Sequence, residues 1–221
     1  MKSGLEYLVG DSKRSLDIIG GTVVATALLP AAATVGLLTA IDTRSLSPFF
    51  IQERQGRDGS RLPALKFRTI AKSAMTDVVY GTFDPRATRL GQVLRQSGVD
   101  EIPQIYNVLQ GSMSLVGPRP MLVKDIDHME FSAPDLFDEW YSYYRASKPG
   151  LAGDSQVYRH HFRDGHNPAV YRKSVELDLR YFDRASLAVD LRILAATPID
   201  MLRANRAIEA AEAAVAETSA A

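Results

Sequence analysis

Hydrophobic residues fill one long stretch near the N-terminus, and charged segments border it on both sides. Residues 18–41 contain no charged side chain. As a straight helix this stretch is about 36 Å long, which is enough to cross the hydrocarbon core of a bilayer. A cleaved signal peptide has a shorter apolar region, of about 7–15 residues. The pattern therefore predicts a membrane segment, and a buried helix of a soluble domain is the alternative.

Pro30 lies in the middle of this apolar stretch. Proline lacks the backbone N–H and disfavours helical geometry at the residue before it, here Leu29. Positive charge marks the cytoplasmic side of a membrane segment. Both flanks carry such charges, namely Lys13, Arg14, Arg44, Arg54 and Arg57. A re-entrant hairpin broken at Pro30 places both flanks on the cytoplasmic side, whereas a complete span places only one flank there.

Downstream of this segment, short apolar patterns alternate with turn signals. Two strand-like segments, 49–54 and 62–67, surround a turn at Gly56–Gly59 and predict a β-hairpin. Helical periodicity predicts three helices, over 88–96 with Gly98 as the stop, over 100–111 and over 135–145. The expected fold class is α+β: a mainly helical, membrane-associated domain with a small β-hairpin.

Two later segments, 169–182 and 187–202, are amphipathic, and Pro198 interrupts the second. Such helices suit a bilayer interface, and they suit packing against a core equally well. The chain is expected to divide into a membrane-hairpin segment, a main domain and an Ala/Glu-rich tail, over residues 1–45, 46–203 and 204–221.

Composition narrows the range of functions. A chain of 221 residues with 46% hydrophobic residues is long enough for one domain with a real core. The 26 basic and 26 acidic residues leave no net charge, so bulk attraction to nucleic acid is not indicated. The absence of cysteine excludes disulfides and thiolate metal sites. His160, His161 and His166 match no metal-ligand spacing, which favours a polar loop.

Candidate chemistry is concentrated between Lys66 and Pro120. Asp100 and Glu101 are adjacent carboxylates, and Pro103 follows them, so a helix N-terminus also explains them. Basic residues nearby weigh against that plain explanation, namely Lys66, Arg68, Arg86, Arg89, Arg95 and Arg119 within Pro118-Arg119-Pro120. Cations hold phosphates, and carboxylates bind Mg²⁺ or attack phosphorus. The set predicts a site for a phosphate anhydride, and the neighbouring membrane segment suggests a lipid phosphate as one reactant.

The order and spacing of these motifs resemble the monotopic phosphoglycosyl transferases, also called bacterial sugar transferases. The resemblance covers roughly residues 13–197. It is carried by Lys13-Arg14-x-x-Asp17, Gln52-x-Arg54-x-Gly56, Lys66-Phe67-Arg68-Thr69, Arg89-Leu90-Gly91-x-x-Leu94-Arg95, Asp100-Glu101-x-Pro103-Gln104, Met113 to Pro120, Lys148-Pro149-Gly150 and Asp190-Leu191-x-Ile193-Leu194.

This resemblance implies a specific reaction, in which a phosphosugar passes from a UDP-sugar to a polyprenol phosphate such as undecaprenyl phosphate. UMP is the second product, and the step initiates exopolysaccharide, capsule or O-antigen synthesis. The resemblance assigns Asp100 as the nucleophile that carries a covalent phosphosugar, and Asp100 with Glu101 as Mg²⁺ ligands. Lys66, Arg68 and Arg95 are then expected at the phosphates, and Pro118-Arg119-Pro120 at the nucleotide.

The resemblance also implies a bacterial inner-membrane protein whose residues 46–203 form a catalytic domain facing the cytoplasm; it leaves a homodimer open. A membrane-associated Mg²⁺-dependent hydrolase of nucleotide sugars or polyprenyl diphosphates is an alternative, and so is a non-catalytic scaffold for polysaccharide assembly. The sequence departs from the family where Leu29, rather than a serine, precedes Pro30, which leaves the break less well supported. The transferred sugar is not readable, although galactose or glucose is weakly favoured.

Overall fold

The computed structural model describes residues 4–74, 84–160 and 167–200. A short helix α1 (Leu5–Val9) precedes the long helix α2 (Asp11–Asp42). Within the described residues, α2 is the one helix long and apolar enough to cross a membrane. It is continuous through Pro30, so the structure has one helix where the sequence predicted two half-helices. A proline inside a helix removes one backbone hydrogen bond, and the helix can continue through it with a kink.

A buried polar network fixes the beginning of α2 to the main domain. Lys13 Nζ lies 2.7 Å from Asp190 Oδ2 and 3.4 Å from Asp17 Oδ1. Asp17 accepts hydrogen bonds from Ser114 Oγ and from the Leu115 backbone N–H, at 2.8 and 2.9 Å. Because these charges are buried and paired, separating α2 from the domain would expose unmatched polar groups.

The predicted β-hairpin is confirmed. Strands β1 (Phe49–Gln55) and β2 (Arg61–Phe67) pair antiparallel, with Phe49 opposite Phe67 and Gln55 opposite Arg61. At the connecting turn, Asp58 and Gly59 have positive φ angles, which aspartate and glycine tolerate better than most residues.

Helix α3 (Arg89–Ser97) confirms the helix predicted over 88–96. The Thr88 side chain caps its first turn, and Gly98 ends it in the left-handed conformation. The next prediction, one helix over 100–111, was wrong in its first half. A 3-10 turn (Val99–Gln104) comes first, and α4 (Ile105–Gln110) follows it. Pro103 explains the difference, because it has no N–H to donate to a carbonyl one α-helical turn earlier.

The core lies between three helices and a short parallel strand pair. These elements are α5 (Val123–Ser132), α6 (Pro134–Ala146), α8 (Pro168–Arg184), β3 (Ser114–Val116) and β4 (Gly150–Ala152). The sequence predicted α6 and α8 but missed α5 and the strand pair. Trp140 and Tyr144 are fully buried, and Trp140 Nε1 donates to Asp178 at 3.0 Å. The aromatic-rich stretch is therefore a core element.

Two further helices are described: α7 (Asp154–His160), which precedes α8, and α9, which residues 187–200 form after it. The predicted interruption at Pro198 was wrong, because the described part of α9 continues past that residue. Leu187, Leu191 and Ile199 are exposed on it. His161, His166 and the tail 204–221 lie outside the described residues, so the predictions for them stay predictions.

Candidate active site

Asp100 and Glu101 lie in the 3-10 turn that follows α3. Gly98 reverses the chain there, and the Glu101 backbone N–H donates to its carbonyl at 3.1 Å. The turn packs against β2, which carries Lys66. Lys66 Nζ donates to Glu101 Oε1 at 2.7 Å, and Arg119 Nη2 lies 3.6 Å from the same oxygen. The fold thus brings Lys66, Glu101 and Arg119 together from three separate segments. The sequence analysis had assigned these three residues to one candidate site.

The two carboxylates have different surroundings. Asp100 is 7% exposed, and no described group donates a hydrogen bond to its carboxylate. Burial raises the pKa of Asp100 to about 6; Lys66 opposes that shift and the Glu101 carboxylate adds to it. Burial also acts to raise the pKa of Glu101, but Lys66 and Arg119 outweigh it and hold that pKa below its usual range. The negative charge of Glu101 is therefore well stabilised, and the negative charge of Asp100 is less stabilised.

Basic groups surround the pair on the side of β2 and of the Pro118-Arg119-Pro120 turn. Burial lowers the pKa of Lys66, while Glu101 and Asp100 oppose the shift. The turn itself is held at both ends. The Pro118 carbonyl accepts from the Gly150 N–H at 2.8 Å, and the Pro120 carbonyl accepts from Arg54 Nη1 at 3.0 Å. Arg119 is thereby presented toward Glu101 from a rigid segment.

Arg95 lies near the site but is also held by other groups. Its Nε donates to Thr69 Oγ1 at 2.9 Å, and its Nη1 lies 3.5 Å from Asp84 Oδ2. Its charge nevertheless lowers the pKa of Asp100, which places it within electrostatic reach of that carboxylate. Arg68 donates to the backbone carbonyls of Ser47 and Phe49. The phosphate contacts predicted for Arg95 and Arg68 stay predictions.

Arg54 is a site residue that the sequence analysis did not select. It lies on β1, and its Nε is buried without a hydrogen-bond partner among the described residues. Burial lowers its pKa to about 10; Arg119 adds to the shift and Glu101 opposes it. The signal was present in the sequence, since Arg54 belongs to the Gln52-x-Arg54-x-Gly56 motif. The sequence analysis counted Arg54 among the charges that flank the apolar segment and gave it no role in the candidate site.

The carboxylate pair fits a Mg²⁺ site of a particular kind. Among the described residues no cluster of three or more acidic or histidine side chains surrounds a common point. Mg²⁺ is often held by one or two carboxylates, with water and substrate phosphates completing its shell. Asp100, whose carboxylate accepts no hydrogen bond from a described group, and Glu101 supply such a set. The donor chemistry is therefore compatible with an ion shared between protein and phosphate.

Comparison with known proteins identifies a family for this chain. Residues 9–204 match the family described as bacterial sugar transferase. The chain is 34% identical over 199 residues to a UDP-galactose-lipid carrier transferase of Erwinia amylovora. It is 33% identical over 205 residues to the exopolysaccharide production protein ExoY of Sinorhizobium fredii. It is 37% identical over 202 residues to a UDP-glucose:undecaprenyl-phosphate glucose-1-phosphate transferase of Caulobacter vibrioides.

These matches cover 82%, 84% and 88% of this chain. They cover 38% of the Erwinia protein, 83% of ExoY and 71% of the Caulobacter protein, so the chain spans less than half the length of the first relative. The match to the family extends from Val9, the last residue of α1, to residue 204 and includes every candidate site residue. The chain belongs to the bacterial sugar transferase family.

Proposed function

We propose that this protein transfers a sugar 1-phosphate from a UDP-sugar to undecaprenyl phosphate, with UMP as the second product. One observation carries the proposal: the Asp100 carboxylate accepts no hydrogen bond from a described group, while its neighbour Glu101 is held by Lys66 and Arg119. A carboxylate without donors keeps its lone pairs for a phosphorus atom or a cation. The Erwinia and Caulobacter relatives are named for reactions of this type.

The first half-reaction begins with attack by an Asp100 oxygen on the sugar-linked phosphorus. A P–O bond forms to Asp100, the bond between that phosphorus and the second phosphate breaks, and UMP leaves with the bond's electron pair. Two anions must approach closely in this step, which basic side chains at the phosphates make feasible. Lys66 and Arg119 are the cations nearest to the pair, and a Mg²⁺ ion held by Asp100 and Glu101 would further neutralise the diphosphate.

In the second half-reaction, a phosphate oxygen of the acceptor lipid attacks the same phosphorus. The bond to Asp100 breaks, the carboxylate is regenerated, and a polyprenyl diphosphosugar results. Because the sugar phosphate stays covalently bound to Asp100 between the two steps, one small site serves a soluble donor and then a membrane-bound acceptor.

The membrane topology belongs to the same proposal: α2 re-enters the bilayer near Pro30, and the catalytic domain faces the cytoplasm of a bacterial inner membrane. Contacts at both ends of α2 support it. Near the beginning, Arg14 donates to the carbonyls of Val108 and Leu109, both at 2.7 Å. At the other end Asp42 accepts a hydrogen bond from Thr88. Both ends of α2 thus contact the same domain, which suits one side of a membrane.

The reaction is tested with the full chain in nanodiscs, supplied with Mg²⁺, undecaprenyl phosphate and a panel of UDP-sugars. We expect UMP to appear with at least one donor, and removal of Mg²⁺ with a chelator to stop its release reversibly. The Asp100→Asn variant is expected to release no UMP and to form no phosphosugar adduct detectable by intact mass. Near-wild-type turnover of that variant would exclude the role of Asp100.

The same assay separates the alternatives. A hydrolase would release sugar phosphate at full rate without any lipid acceptor, whereas a phosphoglycosyl transferase stops after one UMP per protein. A scaffold would release no UMP with any donor. The panel also identifies the sugar, since the relatives are named for galactose in one case and for glucose in another.

A further inference from the structure

Arg54 makes contacts with neutral groups only. Its Nη1 donates to the Pro120 carbonyl at 3.0 Å, its Nη2 donates to Gln52 Oε1 at 2.5 Å, and its Nε is buried without a hydrogen-bond partner. Among the residues that the structure describes, no carboxylate forms an ion pair with this guanidinium within 4.0 Å. An arginine side chain does not lose its proton near neutral pH. The protein therefore keeps a partly buried positive charge without a counter-ion of its own, which is costly unless a ligand supplies one.

Arg54 lies on the face of the β-hairpin that carries the candidate active site. Lys66 is paired with Phe50, and Arg54 follows Phe50 by four residues on β1. Because side chains alternate between the two faces of a sheet, Arg54 and Lys66 project from the same face. Lys66 contacts Glu101 from that face. Burial lowers the pKa of Arg54, and Arg119 adds to that shift while Glu101 opposes it, so both groups lie within electrostatic reach of Arg54.

The hydrogen bond to Pro120 connects Arg54 to the Pro118-Arg119-Pro120 turn. Two bonds attach the end of this turn to β1. One comes from Arg54 Nη1, and the other runs from the Gln55 backbone N–H to the Met121 carbonyl at 2.8 Å. The second bond needs no particular side chain, so a substitution at Arg54 removes one attachment and leaves the other. Arg119 lies directly before the residue whose attachment is lost.

Arg54 and Arg119 carry like charges on the two sides of this turn. Arg119 Nη2 lies 3.6 Å from Glu101 Oε1, and Lys66 Nζ lies 2.7 Å from the same oxygen, so Glu101 is already shared between two cations. The positive charge of Arg54 therefore favours orientations in which the Arg119 guanidinium points away from it, toward an anion in the site.

The proposed reaction supplies such an anion, because negative charge develops on the phosphate of UMP as its bond to the sugar-linked phosphorus breaks. We propose that Arg54 is a positioning residue that acts through Arg119: its hydrogen bond fixes Pro120, and its charge directs the Arg119 guanidinium toward the departing phosphate of UMP. This inference rests on the proposed function and assigns a role to a residue that does not itself touch the nucleotide.

The test is a double-mutant cycle with the full chain in nanodiscs. It measures the rate constant of UMP release in a single turnover without acceptor, at a temperature well below the melting temperature of each variant. Loss of one group that stabilises developing charge slows a reaction by about 100-fold or more, which we expect of Arg119→Met, and about 30-fold is expected of Arg54→Met. The double variant should be about as slow as Arg119→Met alone, because residues that act as one unit have effects that do not multiply.

Two further comparisons separate a charged positioning residue from a merely structural one. Lysine and glutamine can both donate to the Pro120 carbonyl, but only lysine keeps the charge, so Arg54→Lys should release UMP at least fivefold faster than Arg54→Gln. Arg145→Met is the matched control. Arg145 is exposed and donates to the Asp58 carbonyl at 3.0 Å, and its loss should leave the rate constant unchanged.

The outcomes distinguish this inference from the proposed function. If the wild-type protein releases no UMP, the proposed function fails. If it releases UMP but the effects of Arg54→Met and Arg119→Met multiply in the double variant, Arg54 does not act through Arg119. Equal rate constants for Arg54→Lys and Arg54→Gln would also overturn the inference. Should Arg54→Met fail to fold, Arg54→Gln takes its place in the cycle, and the same lack of multiplication is required.

Discussion

Asp100 and Glu101 are neighbours along the chain, yet the folded protein stabilises their negative charges to different degrees. Lys66 and Arg119 contact Glu101, while Asp100 is buried and accepts no hydrogen bond from a described group. A carboxylate that is poorly stabilised in the free protein gains the most when it bonds to phosphorus or to a cation. Such sites reduce the stability of the fold in exchange for reactivity.

The raised pKa of Asp100 predicts a gain in stability when its charge is removed. Because the folded-state pKa, about 6, lies above the ordinary value of 3.8, stability is lost as the pH rises through this interval. Without Mg²⁺ at pH 8, we expect Asp100→Asn to raise the melting temperature, at ~2–4 °C per kcal/mol gained. The gain should shrink as the pH falls toward 4. A lower melting temperature at pH 8 would contradict this account.

The half-buried ion pair of Lys66 and Glu101 is expected to matter more than an ion pair on the surface. Lys66→Met leaves Glu101 without its closest cation, and we expect adduct formation to slow by about 100-fold or more. Lys173→Met is the matched control, because Lys173 pairs with Glu176 at 2.9 Å on the surface. Exposed pairs contribute about 0–1 kcal/mol, so its rate and melting temperature should change little. Equal effects of the two substitutions would exclude a special role for Lys66.

At the scale of elements, α2 is long and apolar enough to cross a membrane, and it also packs against the main domain. Its first turns contribute Lys13 and Asp17 to a buried network that also includes Asp190. The hydroxyl groups of Tyr7 and Tyr181 each donate a hydrogen bond of 2.8 Å to the Asp190 carboxylate. The middle turns of α2 line an apolar cavity between the helix and the β-hairpin. Changes at the start of α2 should therefore affect the whole domain.

Lys13→Met tests this attachment. The substitution leaves two buried carboxylates without their shared cation, which costs about 3 kcal/mol or more. We expect the Lys13→Met variant to have a lower melting temperature and a lower activity. Its activity should be lost over the same temperature range in which it unfolds. Lys173→Met again serves as the surface control. An unchanged melting temperature in Lys13→Met would mean that the network does not fix α2 to the domain.

At the scale of the molecule, the two ends of α2 decide how the protein lies in a membrane. The chain contains no cysteine, so single cysteines introduced at Val9 and Leu46, both exposed, are clean reporters. In sealed vesicles we expect a membrane-impermeant thiol reagent to label Val9→Cys and Leu46→Cys from the same side. Labelling from opposite sides would establish a complete span and would exclude re-entry at Pro30.

Much of this molecule was predictable because local patterns determined it. The β-hairpin followed from two apolar strands around a glycine turn, α3 from a threonine cap and Gly98, and the family from the order of motifs between Lys13 and Thr197. Where a pattern was ambiguous, prediction failed. Asp100 to Gly111 has helical periodicity throughout, but Pro103 makes its first half a 3-10 turn.

The sequence by itself determined the family, the long apolar segment, and the carboxylate pair and most of the basic residues that form the candidate site. These are properties of residue type and spacing along the chain. Only the tertiary structure decided that Lys66 and Arg119 contact Glu101 rather than Asp100, and that Arg54 supports the Pro118-Arg119-Pro120 turn. It alone decided, too, that both ends of α2 contact the main domain. Such facts depend on burial and on distances between segments far apart in sequence, which no local pattern encodes.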